Sequence, residues 1–81
     1  MEVKMKMPDL STTEGTDIAI LKWVVNVGDP VERGQVILEV ETDKAVQEIE
    51  AIATGTLTSQ LVGPRDMVPV GQFIATIEVS K

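Results

Sequence analysis

Apolar positions in this 81-residue chain come in short runs that alternate with polar ones. Along Val36-Ile-Leu-Glu-Val-Glu41, Val36, Leu38 and Val40 share one side while Glu39 and Glu41 take the other, the period of two that a strand imposes. Turn residues break such runs about every 8–12 residues. They stand at Pro8-Asp9, Glu14-Gly15, Gly28-Asp29-Pro30, Arg33-Gly34, Asp43-Lys44, Thr54-Gly55, Gly63-Pro64 and Pro69-Val70-Gly71. The β-branched residues (12 Val, 7 Ile and 8 Thr) make up a third of the chain, and branching at Cβ suits the pleated strand. A helix over 20–27 would have to carry Val24, Val25 and Val27, so that stretch reads as strand and turn. The pattern predicts an all-β fold, an antiparallel sandwich or flattened barrel.

An internal repeat organises these runs. Asp29-Pro-Val31-Glu-Arg-Gly34-Gln35-Val-Ile37 returns as Asp66-Met-Val68-Pro-Val-Gly71-Gln72-Phe-Ile74, a shift of 37 residues, and Val40-Glu41 falls on Ile77-Glu78 at the same shift. Upstream, Glu14-Gly15-Thr16 echoes Thr54-Gly55-Thr56 at a shift of 40, which predicts about three extra residues in the first half. Two halves of four short strands imply two four-stranded antiparallel sheets related by a pseudo-two-fold and sharing one core. Under that symmetry Lys44 corresponds to Lys81, which predicts that the Lys44 turn and the chain end lie at opposite poles.

Composition then narrows the chemistry. The length allows a single domain, 1–81. There are no cysteines and no histidines, so disulfides, Cys/His zinc sites, thiol nucleophiles and a Ser-His-Asp arrangement are excluded within the chain. The formal charge is −6, and Trp23 and Phe73 are the only aromatic residues, a poor basis for binding nucleic acid. No apolar run approaches the ~20 residues of a membrane-spanning helix. The expectation is a soluble monomeric module without metal, with no catalytic residues of its own, in the cytoplasm or, in a eukaryote, the mitochondrial matrix.

The segment 36–50 reads as strand, tight turn, strand. A two-residue loop at Asp43-Lys44 sets Thr42 opposite Ala45 and Glu41 opposite Val46, and Asp suits such a loop. The lysine amine would then project into water from a stiff tip, where an ordinary solvated lysine and a modification site look alike.

The run Gly28-Asp29-Pro-Val31-Glu-Arg-Gly34-Gln-Val-Ile-Leu-Glu-Val40-Glu41-Thr42-Asp43-Lys44-Ala45 resembles the signature of lipoyl domains, the swinging-arm modules of acyltransferase subunits in 2-oxo acid dehydrogenase complexes. The likeness runs from Met7-Pro8-Asp9 through Trp23 to Gly71-Gln72. It implies the flattened barrel of two four-stranded sheets, with lipoate in amide linkage on Lys44. Glu41, Thr42, Asp43 and Ala45 would form the recognition positions around that lysine, and Gly28 and Gly34 the turns that set the register. It also implies that this is the N-terminal part of a longer dihydrolipoamide acyltransferase chain. The implied partners are a thiamin-dependent dehydrogenase that donates the acyl group, an acyltransferase core that passes it to coenzyme A, dihydrolipoamide dehydrogenase for reoxidation, and a lipoate ligase or lipoyl transferase.

Related readings remain beside this one. Biotinyl carrier domains share the lysine turn but typically flank it with methionines, where Asp43 and Ala45 stand here. The lipoylated glycine-cleavage carrier is usually longer. An unmodified interaction domain is the reading from another class. Glu39, Glu41, Asp43, Glu48 and Glu50 form an acidic cluster that lacks calcium-loop spacing and suits electrostatic selection of partners. Trp23 and Phe73 are expected in the core, and Met5 and Met7 to pack inward from the first strand. The segment 11–17 corresponds to the family's dehydrogenase-recognition loop, and the stretch from Gly15 to Trp23 reads as about three residues longer than usual.

Overall fold

The computed structural model describes residues 1–8, 18–42 and 45–79. The described residues form eight strands and no helix: β1 (Glu2–Lys6), β2 (Ile18–Trp23), β3 (Pro30–Val31), β4 (Val36–Glu41), β5 (Val46–Glu50), β6 (Gly55–Gln60), β7 (Met67–Val68) and β8 (Phe73–Glu78). They assemble into two antiparallel four-stranded sheets, ordered β1-β8-β6-β3 and β5-β4-β2-β7. The sheets stack as a flattened sandwich and do not close into a barrel. Between them lies one continuous core in which Met5, Met7, Ile18, Ile20, Ile37, Leu38, Leu57, Ile74 and Ile77 are all but sealed from solvent. Burying each such side chain is worth about 1.5–3 kcal/mol, which is why the apolar side of every strand faces inward. The domain is elongated, 38 × 19 × 18 Å.

The repeat shows in every layer of the backbone. Strands β2, β3 and β4 recur as β6, β7 and β8 at a constant shift of 37. The irregularities recur with them. Leu21 and Thr58 are the extra residues where β2 meets β4 and β6 meets β8, and Ile37 and Ile74 where β4 meets β5 and β8 meets β1. Tertiary bonds repeat as well: Gly28 N–H donates to Leu57 O at 2.7 Å and Arg65 N–H to Ile20 O at 2.8 Å. At these two equivalent corners the backbone is left-handed, φ 97° at Gly28 and 75° at Arg65. Glycine adopts that conformation freely, whereas Arg65 adopts it against the steric preference of an L side chain.

Three expectations need correction. The shift of 40 is not structural: Ile18, not Gly15, is the equivalent of Gly55, because β2 and β6 begin 37 residues apart. The strict alternation along β4 fails at its start, where the extra residue Ile37 turns inward beside Leu38 and leaves Val36 half-buried. The matching bulge at Ile74 puts both Ile74 and Ala75 in the core and carries Phe73 to the surface. There the Lys4 and Lys6 ammoniums sit 5.4 and 5.5 Å from its ring centroid, a cation–π arrangement. Met5 and Met7 are buried as expected. Trp23 packs half-buried against the core and donates from Nε1 to Val62 O at 3.0 Å.

Candidate functional site

Strands β4 and β5 form a hairpin whose register pairs Glu41 with Val46. Beyond that pair the ladder closes with one more rung: Thr42 N–H donates to Ala45 O at 2.9 Å. The Thr42 side chain reinforces it, donating from Oγ1 to Ala45 O at 3.1 Å and accepting from Ala45 N–H at 3.2 Å. Thr42 is nine-tenths buried, whereas Ala45 and Val46 are exposed. Asp43 and Lys44, the two residues between Thr42 and Ala45 in the sequence, lie outside the described residues. So do the segment 11–17 and Lys81.

This rung closes one end of the β4–β5 hairpin. At the other end of the β4–β5 hairpin, Glu32, Arg33, Ile52 and Ala53 line a cleft together with Val79. Val79 N–H donates to Met1 O at 2.7 Å, so the first and last described residues meet there. With β5 five residues long, the two ends of the hairpin are separated by roughly 17 Å of strand.

The outward face of the hairpin is acidic. Glu39 lies directly opposite Glu48, Val36 opposite Glu50, and Glu41 carries a further charge next to the closing rung. Lys22 on β2 faces Glu39 from the other side and offsets part of this repulsion. The row nearest the pole runs Met67, Ala19, Glu41, Val46 across three neighbouring pairs of strands, with Met67 and Val46 both well exposed. Among the described residues no group of three acidic side chains could hold a metal ion, and no buried side-chain nitrogen or oxygen lacks a hydrogen-bond partner.

Of the residues singled out from the sequence, Glu41, Thr42 and Ala45 are brought together at one tip. Phe73 belongs to the other sheet and is not part of that site. One polar anchor was overlooked: Gln60 donates from Nε2 to Val25 O at 3.0 Å, the counterpart of the Trp23 bond to Val62. The shift of 37 places Gln60 on Trp23 and was signal enough to find it.

Comparison with known proteins agrees with this architecture. The Biotin_lipoyl family model, described as biotin-requiring enzyme, matches residues 3–77. The chain is 41% identical over 80 residues to the dihydrolipoyllysine-residue acetyltransferase component of the pyruvate dehydrogenase complex of Zymomonas mobilis, covering 95% of this chain and 18% of that protein. It is 48% identical over 64 residues to the pyruvate dehydrogenase E1 component subunit beta of Rhizobium meliloti, covering 76% of this chain and 13% of that protein. The chain therefore spans less than a fifth of the length of these curated relatives. Its fold is similar to the solution structure of the lipoyl domain of the 2-oxoglutarate dehydrogenase complex from Azotobacter vinelandii. The TM-score is 0.77 at 28% identity, over 96% of this chain and 99% of that one.

Proposed function

The chain belongs to the Biotin_lipoyl family and has the lipoyl-domain fold, and from that premise we propose that Lys44 is the attachment point of a covalent lipoyl group, carried by this domain between enzymes. The observation that carries the reading is the Thr42–Ala45 rung, whose two residues bracket Asp43 and Lys44 in the sequence and stand beside the exposed Val46. The surroundings fit such a group. Ala45 and Val46 are exposed, among the described residues no buried side-chain nitrogen or oxygen is left unpaired, and no thiol of the chain competes with a dithiol. Bound there, a lipoyl group supplies a dithiolane that takes up an acyl group reductively and yields it to coenzyme A.

The chain's own part is presentation. A lysine amine has an ordinary pKa near 10.4, so the modifying enzyme must take its proton before it attacks. Acylation removes that charge and lowers the formal value of −6 by one. Glu39, Glu41, Glu48 and Glu50 then leave an acidic face that selects basic partner surfaces and weakens with salt. Tethered within a complex, the arm meets each partner at an effective concentration on the order of millimolar. The reading places the domain as the N-terminal module of a longer acyltransferase chain, served by a thiamin-dependent dehydrogenase, the acyltransferase core and dihydrolipoamide dehydrogenase. The names of the relatives, components of 2-oxo acid dehydrogenase complexes, support it.

The family's description leaves biotin as the second reading. Intact-mass analysis after incubation with lipoate–protein ligase, lipoate and ATP, and separately with biotin–protein ligase, separates the two. A single lipoyl adduct that peptide mapping locates at Lys44 is the expected result. Lys44→Arg should remove it while leaving the unfolding curve unchanged. A biotin adduct instead, or no adduct with either active ligase, would overturn the proposal.

A further inference from the structure

The Thr42 hydroxyl does more than the fold requires. At the equivalent position of the other half, 37 residues on, stands Val79. It closes the equivalent rung with its backbone alone, N–H to Met1 O at 2.7 Å, against 2.9 Å for Thr42 N–H to Ala45 O. Valine is threonine with a methyl in place of the hydroxyl, so the molecule contains its own control: the rung forms without that oxygen. At the hairpin the oxygen bonds both the carbonyl and the amide of Ala45, which fixes the residue on the far side of Lys44 relative to the residue before Asp43. Burial of Thr42 puts the hydroxyl beyond easy reach of an enzyme docking from outside.

We propose that Thr42 is a positioning residue for modification of Lys44, its hydroxyl holding together Thr42 and Ala45, the two residues that bracket Asp43 and Lys44 in the sequence. This rests on the attachment reading above. In the transfer step the deprotonated lysine Nζ attacks the acyl carbon of a lipoyl adenylate supplied by the ligase. The amide C–N bond forms, the acyl C–O bond to phosphate breaks, adenylate leaves, and the amine proton passes to a base or solvent. A clamp on the acceptor affects how often the amine meets that carbon in line, and not how tightly the domain docks.

The test compares wild type, Thr42→Val and Thr42→Ser with purified lipoate–protein ligase and preformed lipoyl adenylate, read by intact mass. Thr42→Val is expected to lower kcat for transfer by about tenfold or more while KM for the domain stays within about twofold, and Thr42→Ser to restore kcat. Independently of the enzyme, hydrogen exchange at the Ala45 amide should accelerate in Thr42→Val and stay protected in Thr42→Ser. Equal kcat for wild type and Thr42→Val would overturn the positioning role and leave the attachment reading intact. Loss of the β-sheet circular dichroism of Thr42→Val would also overturn it, since the hydroxyl would then serve the fold. Failure of wild type to be modified would sink the attachment reading itself, and the positioning role with it.

Discussion

The two poles of the sandwich are closed by the same rung and finished differently. At one, Thr42 bonds Ala45 with backbone and side chain together; at the other, Val79 bonds Met1 with backbone alone. Moving down the strands, the contrast widens. Glu48 and Glu50 on β5 occupy the places that Lys4 and Lys6 hold on β1, and Val36 the place of Phe73. The backbone, down to its bulges and corner bonds, is nearly the same in both halves. Strand pairing and core burial therefore require only the pattern the halves share. The substitutions that distinguish them, an acidic face and a threonine hydroxyl bonded to Ala45, lie on the β4–β5 hairpin, where we propose the lipoyl group is carried.

Truncating the shared core tests that equivalence hardest. Ile20 and Leu57 are related by the shift of 37, and both are sealed in the core. Ile20→Ala and Leu57→Ala should each cost about 2–5 kcal/mol by chemical denaturation, and should agree with one another more closely than that range. A cost confined to one of them would mean the halves are alike in shape only.

The paired corners should respond with opposite signs. Gly28→Ala forces an L side chain into φ 97° and is expected to cost about 1–2 kcal/mol, although open space surrounds the added methyl. Arg65→Gly at φ 75° relieves the same strain, less the entropy of an added glycine, and should raise stability by up to about 1 kcal/mol. Two destabilising results would show that Arg65 makes up for its backbone elsewhere.

The smallest effect is at the terminal pole. There the Met1 ammonium pairs with Glu78 at 2.7 Å, both groups well exposed, while Glu41, the equivalent of Glu78, faces Ala19 and Val46. Glu78→Gln should cost less than about 1 kcal/mol at low ionic strength. The difference from wild type should vanish near about 1 M salt, where the Debye length shrinks to about 3 Å. A loss that persists in high salt would point to the Glu78 hydrogen bonds, and not to its charge.

Much of this was legible in one dimension. Period-two alternation, β-branched content and turn residues specify strands because each is a local property of a few neighbouring residues. The duplicated Asp-x-Val-x-x-Gly-Gln pattern announced two equivalent halves, and the Glu41–Val46 register followed from a two-residue loop. Where the reading slipped, at Ile37, Phe73 and the start of β2, a bulge or a pairing partner intervened, and both depend on residues far along the chain.

Sequence alone, then, determined the element types, the two-fold plan and the lysine turn as the position to watch, since periodicity, propensity and motif are written in adjacent residues. Tertiary structure decided that Phe73 leaves the core to lie against two lysines, and that Gln60 and Trp23 perform one task in two halves. It also decided that Thr42 turns its hydroxyl onto Ala45. Each of these is a relation between side chains and distant backbone, which exists only once the two sheets have been laid together.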